Sequence, residues 1–145
     1  MKYVGIDYGL ARTGLAVSDP EGRMAFPLIT FFFRDFPDRK ALLAALAARI
    51  AETGAEAVVM GLPLHADGTE SETTRQVRNV TKRIRRRIAL PVYFMPELLS
   101  SAEALQNMRQ AGARADKRRA ALDQQAAVCI LASFLALPPD RRRLA

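Results

Sequence analysis

The sequence holds very few of the residues that staple secreted scaffolds. It has one cysteine, one histidine and no tryptophan in 145 residues. The lone Cys129 excludes an internal disulfide, and its setting in the apolar run AAVCILASF reads as a small buried hydrophobe in a reducing compartment. Long hydrophobic runs are missing too. No stretch approaches the roughly 18 apolar residues of a membrane span, and ALLAALAARI (41–50) ends in charge. The opening MKYVGIDYG lacks the apolar core of a signal peptide. These absences lead us to expect a cytoplasmic protein with no membrane partner. Repeats and low-complexity tracts are absent as well.

Acidic residues are scarce in one half of the chain. Residues 1–72 carry 7 Lys and Arg against 10 Asp and Glu, a net of −3, whereas residues 73–145 carry 15 against 5, a net of +10. A basic half favours a polyanionic partner. What is present is an ordinary globular composition, 50% hydrophobic and 26% charged. We expect one domain over residues 1–138 and a short basic tail, 139–145, whose arginine triplet frays.

The apolar pattern predicts three strands at 3–9, 13–18 and 24–33 joined by short turns, an antiparallel meander. Pro27 places the third at a sheet edge. A helix from Pro37 to Thr53 follows, ended by Gly54. Then come a buried strand (56–63), a helix (71–89), a fifth strand (91–95), a helix from Ser100 or Ser101 to Gln110, and a last helix (119–137). This order predicts an α/β fold, a mixed sheet of three antiparallel and then two parallel strands with helices on both faces.

Three carboxylates stand out against this pattern. Asp7 interrupts an apolar strand, with Gly5 and Gly9 on its face leaving room for a metal or phosphate. Glu97 follows the fifth strand, where α/β sheets place their sites. Asp123 opens a helical face that continues through Ala126, Ala127 and Ile130, and an acid on a small apolar face asks for a compensating charge. Each also has an ordinary reading: a turn residue for Asp7, and acids favoured by a helix N-terminus for the others. Converging at one end of the sheet, the three would offer hard oxygen ligands to Mg²⁺ or Mn²⁺. Two such ions about 3.5–4 Å apart hydrolyse phosphodiesters without a protein nucleophile.

GIDYGLARTGLAVSD near the start, VVMGLPLHADGT in the middle and LDQQAA near the end, in that order, resemble the YqgF/RuvX family. That family is described as pre-16S rRNA nucleases or Holliday-junction resolvases. The resemblance spans nearly the whole chain and implies an RNase H-like fold with Asp7, Glu97 and Asp123 as catalytic metal ligands. It also implies a phosphate-contacting or structural role for Arg12. One departure is local. The family's Asp-Glu-Arg triplet is here Pro96-Glu97-Leu98, which keeps the ligand and loses its acidic and basic neighbours.

Arg75, Arg78, Lys82, Arg85 and Arg86 fall on one face of the 71–89 helix, opposite Val77, Val80, Ile84 and Ile88. That face reads as a phosphate rail or as a solvated surface. Lys117, Arg118 and Arg119 precede Asp123 and read as steering charges or as a flexible loop. His65 reads as a surface histidine, and the loop 61–69 as a possible approach to substrate. Four functions remain open. They are a nuclease acting on structured RNA such as the 16S rRNA precursor, a resolvase of branched DNA working as a homodimer, a nucleic-acid or ribosome-binding module with weakened catalysis, and a nucleotide-binding phosphotransferase. The short chain weighs against the last.

Overall fold

The structure is a computed structural model, and it describes residues 1–98 and 115–145, with side chains over 1–98 and 124–145. The helix expected between Ser100 and Gln110 lies outside the described residues. The described elements are β1 (Tyr3–Tyr8), β2 (Arg12–Ser18), β3 (Ala25–Phe32), α1 (Arg39–Thr53), β4 (Ala57–Leu64), α2 (Glu72–Arg85), β5 (Val92–Leu98), α3 (Ala115–Ala136) and β6 (Arg143–Leu144).

Among the described residues the strands form one sheet in the order β3-β2-β1-β4-β5-β6. β1, β2 and β3 pair antiparallel as the meander predicts, and β3 with its Pro27 is an edge. β4 lies parallel to both β1 and β5. The expected mixed sheet is therefore present, and the alternation of side chains along its strands divides the core in two. Val4, Ile6, Leu15, Val58, Met60 and Val92 face α1 and α2, which contribute Leu42, Leu43, Leu46, Ile50, Val77, Val80 and Ile84. Ala16, Val59 and Tyr3 face α3, which contributes Ala127, Ile130, Leu131 and Phe134.

The helix ends follow from side-chain chemistry. Asp38 caps α1 by accepting from the Ala41 N–H at 2.8 Å, and Gly54 closes it in the left-handed region at φ 71°. Ser71 and Thr74 form a reciprocal capping box at the start of α2. The Thr74 hydroxyl also donates to the Pro63 carbonyl, which ties α2 to the end of β4.

Three expectations are corrected. Cys129 is exposed, because the buried stripe of α3 runs through residues 127, 130, 131 and 134 and position 129 falls on its outer side. α2 ends at Arg85, so Ile88 reaches the core from beyond the helix. The C-terminal arginine triplet does not fray. A 3-10 turn at Pro139–Arg141 leads into β6, which pairs antiparallel with Tyr93 and Phe94 of β5. None of the described helices is long and apolar enough to cross a membrane.

Candidate active site

The carboxyl ends of β1, β4 and β5 lie on the same edge of the sheet, because the three strands are parallel. Register then locates the acids. Ile6 pairs with Met60 and Met60 with Phe94, so Asp7 stands level with Gly61 and Met95. Glu97, opposite Pro63, is two residues further along. β5 runs on to Leu98, which puts Glu97 inside the strand end rather than just after it. Alternation puts Asp7 on the face of Gly5, and Glu97 on the face of Tyr93 and Met95, which is the face covered by α3. Two strand spacings and two residues of rise separate their Cα atoms by about 12 Å. Both acids are half-buried.

The glycines near Asp7 serve packing and turns. An added Cβ on Gly5 would lie 2.9 Å from the Leu131 Cβ and 3.2 Å from the Ala127 carbonyl oxygen, so this glycine admits α3. A Cβ on Gly9 would meet the Arg12 carbonyl oxygen at 2.7 Å, so this one closes the β1–β2 turn. The residues flanking Asp7 across the sheet are Gly14, its partner on β2, and Gly61 at its level on β4. This pairing was invisible in sequence because it depends on strand register. Gly61, like Gly5, admits α3, since an added Cβ would lie 2.5 Å from Ile130 Cδ1.

The direction of α3 brings in the third position. Phe134 packs against Tyr3 at 5.5 Å and Tyr93 at 5.2 Å between ring centroids, toward the amino ends of the strands. Ala127 and Leu131 lie over Gly5, and Ile130 over Gly61. Traced backwards, the helix heads for the carboxyl edge, and position 123 lies one turn before Ala127, about 6 Å along the axis. Asp123, Lys117, Arg118 and Arg119 are residues of α3 whose side chains lie outside the described set. Among the described side chains no three acidic, histidine or cysteine groups gather at one point. Asp7 and Glu97 carry hard oxygen donors on one face of one edge. That chemistry fits a hard divalent cation.

The cationic residues are distributed differently from the acids. Arg12 is half-buried at the start of β2, opposite Phe32 and beside the turn that follows Asp7. Sequence reasoning missed Arg39, which braces that turn. Its Nη1 donates to the Leu10 carbonyl at 3.0 Å, and its guanidinium lies 3.8 Å from the Phe33 ring centroid. Arg39 and Arg83 also act on Tyr8, whose hydroxyl is pushed above its ordinary pKa mainly by burial, with the two cations pulling the other way. Arg75, Arg78 and Lys82 are exposed on α2, on the face of the sheet opposite the two acids. The rail is partly neutralised. Arg75 pairs with Glu72 at 3.6 Å, and Arg78 pairs with Glu70 while stacking 5.3 Å from the Phe94 ring. His65 is exposed in a turn in which Asp67 accepts from the Thr69 hydroxyl at 2.6 Å and from its N–H at 3.0 Å.

A family model described as RuvX, Holliday junction resolvase, matches residues 1–137. A "Putative pre-16S rRNA nuclease" of Nitratidesulfovibrio vulgaris strain DP4 is 52% identical over 145 residues, covering 100% of both chains. A protein of the same name from Oleidesulfovibrio alaskensis is 53% identical, over 98% of this chain and 96% of the relative. Among solved structures, RuvC of Thermus thermophilus superposes with a TM-score of 0.63 at 17% identity, over 100% of both chains. A second structure, of T. thermophilus RuvC in complex with a Holliday junction substrate, gives a TM-score of 0.61 at 16% identity over 100% of this chain and 99% of that chain. At such identity the RuvC likeness shows the fold, which is RNase H-like. Sequence blocks, sheet order and full-length relatives agree, and the chain belongs to the RuvX family.

Proposed function

We propose that this protein is a cytoplasmic, divalent-metal-dependent nuclease that hydrolyses phosphodiester bonds in structured RNA, with the 16S rRNA precursor as its substrate. The observation that carries the reading is the placement of Asp7 and Glu97 on one face of the carboxyl edge, with the backbone of α3 bringing position 123 toward the same edge. RNA is favoured as substrate by the names of the full-length relatives. Asp7, Glu97 and Asp123 would hold Mg²⁺ or Mn²⁺. The bound metal would supply an activated water and stabilise the leaving oxygen. The chain's own part is to aim the carboxylates from rigid strand ends, to seat α3 closely on Gly5 and Gly61, and to hold the β1–β2 turn with Arg39. Arg12 stands beside that turn and would contact phosphate, and Lys117, Arg118 and Arg119 would draw the substrate toward the acids.

The description of the matching family favours a second reading, resolution of branched DNA. It would require a homodimer that presents two sites to one junction. The experiment separates the two readings. Wild-type protein is incubated with Mg²⁺, with Mn²⁺ or with chelator, on end-labelled single-stranded RNA, hairpin RNA, a 16S precursor fragment and a four-way DNA junction. Metal-dependent cleavage confined to RNA is the expected result. Paired symmetric cuts in the junction would replace it with the resolvase. Tight binding with no cleavage of any substrate would leave a binding module, with the lost neighbours of Glu97 as its explanation.

A further inference from the structure

A cleft of about 590 Å³ opens at the outer edge of β5, lined by Phe94, Met95, Pro96, Leu137, Asp140, Arg141 and Arg143. It exists because β6 is short. β6 pairs with Tyr93 and Phe94 only, and the chain before it is coiled into the Pro139–Arg141 turn instead of continuing along β5. Beyond Phe94 the outer edge of β5 therefore has no strand partner among the described residues, and Pro96 is tolerated there. Glu97 is the next residue of that strand.

The C-terminal segment is built to display two arginines there. Arg142 is the anchor. It donates to the Tyr3 hydroxyl at 3.2 Å and to the Leu135 carbonyl at 3.3 Å, with its guanidinium 4.9 Å from the Phe134 ring centroid. Ala145 fixes the far end, its N–H donating to the Val92 carbonyl at 2.7 Å and its carbonyl accepting from Arg85 at 3.0 Å. On either side of the anchor, Arg141 and Arg143 are exposed and line the cleft. Arg143 is the cross-strand partner of Phe94, over whose ring Arg78 of α2 lies. The cleft thus joins the cationic surface of α2, on one face of the sheet, to the edge that holds Glu97 on the other.

We propose that this cleft holds an unpaired stretch of the nucleic-acid substrate, with Arg141 and Arg143 on its phosphates and Phe94, Met95 and Pro96 against its sugars and bases. The proposal rests on the nuclease reading and adds a path for the strand to the site. Two arginines against the single Asp140 give the cleft a net charge complementary to a phosphodiester chain. Its apolar floor suits bases that are not paired. Its volume lies within the range of roughly 300–1,000 Å³ typical of small-ligand pockets, enough for an unpaired nucleotide.

The test is binding of end-labelled single-stranded RNA, and of DNA of equal length, in chelator and over a range of salt, so that no metal or turnover enters the readout. The double variant Arg141→Ala/Arg143→Ala is compared with wild type and with Arg141→Lys/Arg143→Lys, and thermal unfolding checks that β6 is still docked. The expected result is a salt slope shallower by about 1.4, two single-strand phosphate contacts, so that the wild type's advantage in affinity shrinks about sevenfold between 50 and 200 mM salt. The lysine pair restores the slope. A larger loss on RNA than on DNA identifies RNA as the strand held. Equal affinities and slopes for wild type and the alanine pair overturn the proposal. If wild type still cleaves in that case, the nuclease reading stands without this path. If wild type neither binds nor cleaves, both fall.

Discussion

At the scale of single residues, what looked chemical and what looked structural partly exchange places. Gly5 and Gly9 drew attention as space beside Asp7, yet one seats α3 and the other closes a turn. Gly5→Ala would push a methyl against the Leu131 Cβ and the Ala127 backbone, neither of which is the free end of a flexible chain. We expect a loss of roughly 1–3 kcal/mol of stability, read from the midpoint of urea unfolding, and a midpoint equal to wild type would contradict this account of the glycine. Two exposed turns carry pH-sensitive carboxylates. Asp19 accepts from the Met24 N–H at 2.8 Å and the Arg23 N–H at 2.7 Å, and Asp67 accepts from the Thr69 hydroxyl and N–H. These hydrogen bonds hold both groups below the ordinary aspartate pKa, led by Met24 for Asp19 and by the Thr69 side chain for Asp67. Because the folded values are depressed, the turns are supported above the ordinary value of about 3.9 and lose that support as pH falls through the lowered one. Carboxyl carbon shifts of Asp19 and Asp67 should titrate below the ordinary value, and a midpoint at or above it would contradict these hydrogen bonds.

At the level of elements, periodicity identified every described α-helix and every described strand but β6, within a few residues at the ends. β6 was missed because two paired residues leave no period to read, and because Arg141 to Arg143 carry the charge of a solvated tail. Its stability comes from Arg142 packing on Tyr3 and Phe134, a long-range contact that local sequence cannot report. Glu97 was placed just past β5, since a proline reads as a strand end. The strand continues because β4 is paired with it through Leu64. α3 is fixed at its far end by Phe134, which is fully buried between Tyr3 and Tyr93. Phe134→Ala should cost about 3–5 kcal/mol in calorimetric or denaturant unfolding. If α3 also positions Asp123, the same variant should lower the cleavage rate under conditions where it is still folded. A rate equal to wild type in a folded but destabilised variant would separate the helix from the site.

At the scale of the whole molecule, fold and family were legible in the order of three sequence blocks, and the relation between acids and cations was not. Charge counting showed a basic C-terminal half, but only the sheet shows that α2 and the two described acids lie on opposite faces. The rail on α2 is also partly paired, with Glu70 and Glu72. A substrate using both must pass around an edge. Arg78→Glu with Lys82→Glu should therefore weaken nucleic-acid binding and flatten its salt dependence without abolishing cleavage at saturating substrate. Unchanged binding would remove α2 from the interface.

In the function proposed above, Asp7, Glu97 and Asp123 form one metal site at the carboxyl edge. The decisive experiment is RNA cleavage in Mn²⁺ or Mg²⁺ by Asp7→Asn, Glu97→Gln and Asp123→Asn, each beside wild type. Circular dichroism reports folding, and RNA affinity is measured in chelator. Each variant is expected to fold and to bind RNA without metal as wild type does, and to lose metal-dependent cleavage. Undiminished cleavage by any one of the three would contradict that proposal and remove that acid from the site.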